Sequence, residues 1–471
     1  MKPNVVLINC DDLGYGDLGC YGSKKNDTPF LDKLAANGRQ FTDFYMASPV
    51  CSPSRGAMMT GCYPPRINFA SFHDDWVLFP GDSVGLNPDE YTLGDLFKEA
   101  NYSTMAIGKW HCGDQPDFLP TRHGFDDYYG LPYSNDMAPM EKRPNMPPLP
   151  LISGEEVIEQ QPDQRSITER YVEQSVRFIR KNKDNPFFLY LAHMHVHLPL
   201  YAATPFIKKS RNGDYGACVA AIDWATQAVV HELESLHLLE NTIIIFTSDN
   251  GSRNDFGESN GLLRGSKATT WEGGQRVPFI IYWKDNIKSS KCHEITCSLD
   301  LLPSFAKMLN ITLPKDRVID GIDQWELLTG NTEFGNRDTF YYYMCENLEA
   351  VRFKNWKIHV SRRPNAGKPS NTHDGTSKTV VPVRDNVEVK ELYDLSVDIS
   401  ESNNVYDKNP EIVDLLMEKV QNARMSLGDT FTGTIGQNLR PIGKVDNAKP
   451  LTEYDPNHPY IIALYDRNEV G

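Results

Sequence analysis

Cys51, Pro53 and Arg55 stand two residues apart in Cys51-Ser52-Pro53-Ser54-Arg55, a stretch that runs on through Gly56-Ala57-Met58-Met59-Thr60-Gly61. It reads as a loop entering a helix. Proline is preorganised for a first helical turn, so Cys51 is expected where free backbone N–H groups and the helix dipole favour an anion. Arg55, one turn further, shares a helix face with residue 51. A guanidinium there can grip carboxylates; its plainer role is an exposed helical arginine. Two further pairs follow apolar runs: Asp11-Asp12 after the first, Asp249-Asn250 after a later one. Either pair alone reads as loop acids or helix caps. Together they form an all-oxygen set that suits calcium or magnesium and not zinc. Lys109 and His111, two apart after Ser103–Ile107, both point inward if the turn stays extended. His193, His195 and His197 alternate, a spacing that on its own could serve a transition metal.

As a set these residues resemble the sulfatase family, in whose Cys-x-Pro-x-Arg signature the cysteine is oxidised after synthesis to formylglycine. The companions are Asp11-Asp12, Lys109-Trp110-His111, His197-Leu198-Pro199, Asp249-Asn250-Gly251 and Lys267, in the order the family uses. The resemblance covers nearly the whole chain, most densely residues 4–135 and 241–280. It implies residue 51, oxidised, as the nucleophile. A serine or cysteine would leave a stable sulfated enzyme, whereas hydrated formylglycine offers one hydroxyl to attack sulfur and a second to expel sulfate by re-forming the aldehyde. It implies a cation held by Asp11, Asp12, Asp249 and Asn250 and touching residue 51, calcium first and magnesium as runner-up, acting as Lewis acid and nucleophile activator.

The same resemblance gives the remaining residues their roles. Arg55 holds the ligand carboxylates and the diol; Lys109 and His111 stabilise the diol and assist its deprotonation. The family's His-x-Pro pattern selects His197 to bind sulfate or protonate the leaving group. The segment from Lys267 to Glu272-Gly273-Gly274-Gln275-Arg276-Val277-Pro278 selects Lys267 as sulfate ligand and proton donor to the leaving oxygen, with Arg276 holding the loop. His193 and His195 read as packing, with a substrate role open for His195. The block Gly108–His111, His123–Asp126 and Pro132–Asp136 resembles the arylsulfatase A and galactosamine-6-sulfatase branch. Ser134 sits where that branch has a serine near the sulfate; a turn serine is the other reading. Glu391–Leu395 with Asp398 and Glu401 resembles the family's C-terminal signature.

Elements must bring these residues together. Val5–Asn9, Ser103–Ile107, Phe187–Ala192, Thr242–Thr247 and Val277–Trp283 are apolar runs without alternation, as in strands buried on both faces of a parallel sheet. Between them lie helical patterns at Pro29–Asn37, Thr92–Ala100 and Ile167–Lys181. Tyr215–Leu239 adds another, with Cys218, Ile222, Ala225, Val229, Leu233 and Leu236 on one stripe. Strands alternating with helices predict a doubly wound α/β fold, which the resemblance makes alkaline-phosphatase-like, with ligands beyond the carboxyl ends of the strands. Glu141–Gln164 and Ser361–Thr379 read as loops. A composition change near Asn331–Asp338 precedes Tyr341-Tyr342-Tyr343 and Ala350–Val360, which read as antiparallel strands. A catalytic domain over 1–338 and a smaller C-terminal α+β domain over 339–471, contributing to the substrate pocket, are expected.

The 471 residues suffice for both units, and Lys+Arg 48 against Asp+Glu 63 gives a net charge of −15. That balance argues against a nucleic-acid partner, so a sulfated substrate would need a local cationic pocket. No apolar run reaches 18 residues, which argues against a membrane span. The N-terminal apolar run is too short for a signal-peptide core; a cytoplasmic location is expected, or a secreted or periplasmic one if a leader was removed. Nine scattered cysteines do not make a disulfide scaffold, and Cys292 and Cys297 read as two thiols.

The expected function is sulfate-ester hydrolysis on a sulfated carbohydrate, an amino-sugar 6-sulfate such as N-acetylgalactosamine 6-sulfate being the reading that branch resemblance favours. A formylglycine-generating or sulfatase-maturing enzyme is the implied partner. Two alternatives stand beside it. One is a phosphonate monoester or phosphodiester hydrolase of the alkaline phosphatase superfamily. The other is a non-catalytic sugar-binding relative in which Cys51 stays a thiol.

Overall fold

The large sheet has eleven strands, and its centre explains the unbroken apolar runs. Val5 and Leu7 of the strand Asn4–Cys10 face one core with Phe188, Tyr190, Ile243 and Ile245. Val6 and Ile8 face the other with Leu189, Leu191, Ile244 and Phe246. Side chains alternate faces, so a strand covered on both sides is apolar at every position. The structure, a computed structural model, describes residues 2–73, 75–140, 142–364 and 386–457.

From one edge the strands run Ser290–Cys292, Arg39–Tyr45, Arg276–Trp283, Thr242–Ser248, Asn4–Cys10, Phe187–Ala192, Ser103–Gly108, Asp127–Gly130, Pro150–Ser153 and Glu156–Gln160; Thr296–Cys297 also pairs with Arg39–Tyr45. The five from Thr242–Ser248 to Asp127–Gly130 are parallel. Helices Pro29–Asn37, Ile167–Lys181 and Gly213–Ser235 cover one face. Cys51–Thr60, Leu93–Glu99 and Leu301–Leu309 cover the other. The layers are therefore doubly wound, as expected.

Two readings need correction. Val277–Trp283 is a buried strand, but it runs antiparallel to both neighbours; burial on two faces marks the strand and says nothing of its direction. Glu141–Gln164 is not loop throughout, because Pro150–Ser153 and Glu156–Gln160 form a hairpin that extends the sheet edge. Proline is tolerated at the start of such an edge strand, and the second strand exposes every other residue or more, so no buried period betrays it.

A four-stranded antiparallel sheet follows from Thr339–Met344, Asn347–Phe353, Trp356–Arg362 and Val387–Asp394, with helix Pro410–Leu427 packed on it. Ser361 and Arg362 thus end a strand; the rest of the Ser361–Thr379 loop reading, from 365 on, lies outside the described residues. Tyr45, Ala57 and Tyr63 share a buried cluster with Phe340, Tyr342 and Leu348, which locks the small sheet to the large one. None of the nine cysteines is joined in a disulfide. Among the described residues, no helix is long and apolar enough to cross a membrane.

Candidate active site

The parallel strands all deliver their carboxyl ends to one place. Asp11 and Asp12 leave Asn4–Cys10, and Asp249 and Asn250 leave the paired strand Thr242–Ser248. The Asp249 N–H donates to Cys10 O (2.9 Å) and the Asp11 N–H to His195 O (3.1 Å), so strand register carries over into the loops. One oxygen from each of Asp11, Asp12 and Asp249 lies within 4.8 Å of the others, and all three residues are buried. Asn250 Nδ2 donates to Asp12 Oδ1 (2.7 Å). Its Oδ1 is buried and meets no donor, which in an interior calls for an explanation. Three carboxylates and an orphaned amide oxygen are a hard-donor set that fits a divalent cation.

Cys51 opens helix Cys51–Thr60, all ten residues of which are buried. Its Sγ lies 3.5 Å from Asp11 Oδ1, and Asp11, Cys51 and His197 form a second close group. Burial, then the Asp11 carboxylate, push the Cys51 thiol well above its usual range. Burial and the Asp11 carboxylate thus work against a thiolate at an unmodified Cys51. Arg55 is not exposed. Its Nε and Nη2 reach Asp249 Oδ2 at 2.9 and 2.8 Å, Nη2 stands 3.7 Å from Asp11 Oδ2, and Nη1 donates to Lys109 O (2.7 Å). One guanidinium thus ties two metal-site carboxylates to the turn carrying Lys109.

That turn depends on Gly108, whose φ is +106 and where a Cβ would meet Ala192 O at 1.7 Å. The Lys109 N–H donates to Ala192 O (2.8 Å), and its ammonium bonds Asp11 Oδ2 and Ser134 Oγ (2.7 Å to the latter). Ser134 is therefore within the constellation and not a bystander turn residue. His111 does turn inward, but with a positive φ and not through an extended turn; its Nε2 lies 3.0 Å from Leu78 O. Burial, then Lys109, lower its pKa far below the usual range.

His197 and Lys267 approach from separate loops. His197 Nδ1 lies 2.6 Å from Leu198 O, and a carbonyl accepts, so Nδ1 carries the proton. Nε2 faces Asp12 Oδ2 at 3.9 Å. Burial, then Lys267, lower the His197 pKa, so the neutral ring presents a lone pair at Nε2. Lys267 Nζ reaches Asp12 Oδ2 at 2.9 Å. Burial is the largest influence and opposes its charge, but Asp12, Cys51 and Asp11 together outweigh it and raise the pKa, so it stays an ammonium. For Asp11, burial pushes upward, yet Lys109, His197, Arg55 and Lys267 together hold it below the carboxylate range. Burial and the Asp11 charge push Asp249 to about 7.

The remaining sequence candidates are peripheral. His193 packs beside Tyr171 (ring centroids 6.4 Å) away from the cluster, and burial lowers its pKa to about 3. His195 contributes its carbonyl to Asp11, with a buried ring whose pKa burial lowers to about 4. Arg276 holds its loop, at 2.8 Å from Asp43 and 3.2 Å from Glu272. Sequence reasoning missed Ser52 and Ser54, although both lie inside the signature. Ser52 Oγ accepts the Leu78 N–H (3.1 Å), fixing the ledge that His111 meets, and Ser54 Oγ bonds Asp249 O.

The chain is similar to known proteins over most of its length. A family model described as Sulfatase matches residues 3–311, and one described as the C-terminal region of aryl-sulfatase matches 335–439. Arylsulfatase A of Homo sapiens is 35% identical over 462 residues, 91% of this chain and 89% of that one. N-acetylgalactosamine-6-sulfatase of Homo sapiens is 37% identical, covering 76% of this chain and 71% of that one. A solved sulfatase from Pseudoalteromonas sp. superposes with a TM-score of 0.77 at 28% identity, covering 90% of this chain and 91% of that one. Phosphonate monoester hydrolase of Agrobacterium radiobacter has a TM-score of 0.62 at 17% identity over 90% of this chain and 95% of that one, a likeness of fold alone.

Proposed function

Because this chain belongs to the sulfatase family, and so hydrolyses sulfate esters, we propose that its substrate is a sulfated carbohydrate, with N-acetylgalactosamine 6-sulfate or a related glycosaminoglycan-derived sugar as the best single candidate. The relative named for that sugar sulfate, at 37% identity, supports the choice. So does a structure described under the metabolism of multiple glycosaminoglycans by Bacteroides thetaiotaomicron, at 28% identity with a TM-score of 0.76 over 90% of this chain and 99% of that one. The observation that carries the reaction is the convergence of Cys51 Sγ, 3.5 Å from Asp11, with the ammonium groups of Lys109 and Lys267 on the same acidic cluster.

The family uses a cysteine-derived formylglycine and a divalent cation. In our reading Cys51 is oxidised by a formylglycine-generating or sulfatase-maturing partner, and its hydrate supplies the hydroxyl that attacks sulfur. Asp11, Asp12, Asp249 and Asn250 would hold the cation, calcium first and magnesium second, which would supply positive charge to the sulfate oxygens and to the attacking hydroxyl. Arg55 keeps Asp249 and Asp11 oriented. Lys109, shared between Asp11 and Ser134, stabilises the hydrate of residue 51, and His111 assists its deprotonation. Lys267 ligates the sulfate and, as a standing ammonium, donates to the bridging oxygen as S–O cleavage leaves charge there. His197 donates at Nε2 only after gaining a proton, which an incoming sulfate anion favours. Ser134, bonded to Lys109, stands beside the sulfate, His195 supports Asp11 through its carbonyl, and the C-terminal region over 339–471 borders the sugar.

Completeness of this set favours catalysis over a sugar-binding role with Cys51 unconverted. The test joins mass spectrometry of the peptide bearing residue 51 to turnover on a panel of defined sulfated mono- and disaccharides. A formylglycine mass with fastest turnover of a hexosamine 6-sulfate supports the proposal; preference for another sulfated position, or for a phosphonate monoester, overturns it.

A further inference from the structure

Six contacts from the C-terminal sheet and the segments beside it converge on the short stretch that carries Lys267. Ala268, the next residue, has a φ of +63, a conformation a non-glycine residue keeps only where its surroundings over-determine it. Its N–H donates to Pro49 O (2.9 Å), and its carbonyl accepts from Arg363 Nη2. The Thr270 carbonyl accepts from Lys357 Nζ (2.9 Å), and Thr270 Oγ1 donates to Glu349 Oε2 (2.7 Å). The Glu272 N–H donates to Glu401 Oε2 (2.7 Å). Trp271 lies between two guanidiniums, Arg264 at 3.7 Å and Arg362 at 4.5 Å from its ring, and against His359 at 4.3 Å between centroids. Lys357, Glu349, Glu401 and His359 are fully buried, so these are interior bonds that water does not replace.

Nothing in the reaction needs Lys357, Arg362 or Arg363 near the sulfur; what they share is the loop. We infer that the C-terminal sheet is a clamp for the catalytic lysine, with Arg363 the positioning residue that holds the Ala268–Thr269 peptide just after it and the Arg264–Trp271–Arg362 stack its second anchor. Without Arg363 the Ala268 carbonyl loses its donor and the left-handed turn relaxes. Lys267 Nζ is then no longer held at Asp12 and at the bridging oxygen. The inference rests on Lys267 being the donor to that oxygen.

The test pairs Arg363→Met, which keeps length and removes the donor, with Arg363→Lys, Arg362→Met and Lys267→Ala, each assayed on a sugar 6-sulfate and on an activated aryl sulfate. Misplacing a catalytic group by about 1 Å costs up to about 100-fold. Arg363→Met is therefore expected to lower kcat about 10- to 100-fold on the sugar sulfate, with little change in KM and a much smaller effect on the aryl sulfate. Arg363→Lys recovers part of the loss. In the Lys267→Ala background Arg363→Met adds nothing further. Arg362→Met, at the edge of the network, gives the same pattern more weakly and decides the matter if Arg363→Met does not fold. Equal losses on both substrates, or losses that multiply with Lys267→Ala, overturn the clamp. Full activity of Lys267→Ala instead overturns the role of the lysine itself, and the clamp with it.

Discussion

Lys267 Nζ lies 2.9 Å from Asp12 Oδ2 although 255 residues separate them in the chain. In the proposed reading that ion pair joins the acids that would hold the cation to the cations that would grip the sulfate. It makes the two halves of the site electrostatically dependent on each other, and the predictions below follow from that dependence.

Removing the bridging-oxygen donor should hurt poor leaving groups most. Lys267→Ala and His197→Ala are each expected to lower kcat on a sugar sulfate by about 10²–10³, the usual cost of one preorganised contact. KM should change less, because the contact strengthens only as charge develops. On an activated aryl sulfate, whose leaving group needs little protonation, the loss should be smaller. Steady-state kinetics on the two substrates decides it; equal slowing of both removes the proton-donor assignment.

Cys51→Ala and Cys51→Ser should fold normally and lose nearly all turnover, because neither replacement carries an aldehyde. Circular dichroism checks the fold and mass spectrometry the state of residue 51. Full activity in a preparation shown to contain only unconverted Cys51 would sink the formylglycine assignment.

Stripping the cation should leave a folded, inactive protein. Asp12→Ala removes a ligand and the partner of Lys267 at once, so cation affinity and kcat should both fall, and excess calcium should restore turnover to the chelated native protein. Elemental analysis beside activity measurements checks this. A verified metal-free enzyme that still turns over contradicts it.

Asp17 should make stability fall as pH rises. It is buried beneath Tyr215, whose hydroxyl donates to its Oδ2 (2.6 Å), and burial raises its pKa from 3.8 to about 7. Between those values the folded state binds the proton that the unfolded state has released, so stability declines from about pH 4 to about pH 7. The loss is on the order of a few kcal/mol. Asp17→Asn, uncharged throughout, should show a flatter dependence of Tm on pH across that window than the native chain. Parallel curves for the two proteins would remove Asp17 as the source.

Chemistry-bearing residues were legible before any fold was drawn because each lies beside a local signal. Cys51 and Arg55 share a helix turn, which is sequence-near geometry. Asp11, Asp249 and Lys109 follow apolar runs whose lack of alternation marks strands buried on both faces, and parallel strands must deliver their ends to one edge. Pro29–Asn37 and Ile167–Lys181 are the helices expected, since amphipathic period is a local property. Three things were settled only in tertiary structure. Direction was one: burial pattern cannot distinguish the antiparallel Arg276–Trp283 from its parallel neighbours. Edge strands were another, since Glu156–Gln160 buries too little to impose a period. The third was the grip of Arg363, Lys357 and Glu401 on the Lys267 loop. Those residues lie between 85 and 129 positions from their partners, and a buried polar bond over such a distance leaves no periodic trace in the chain. Its partners become recognisable only when folding removes water from both.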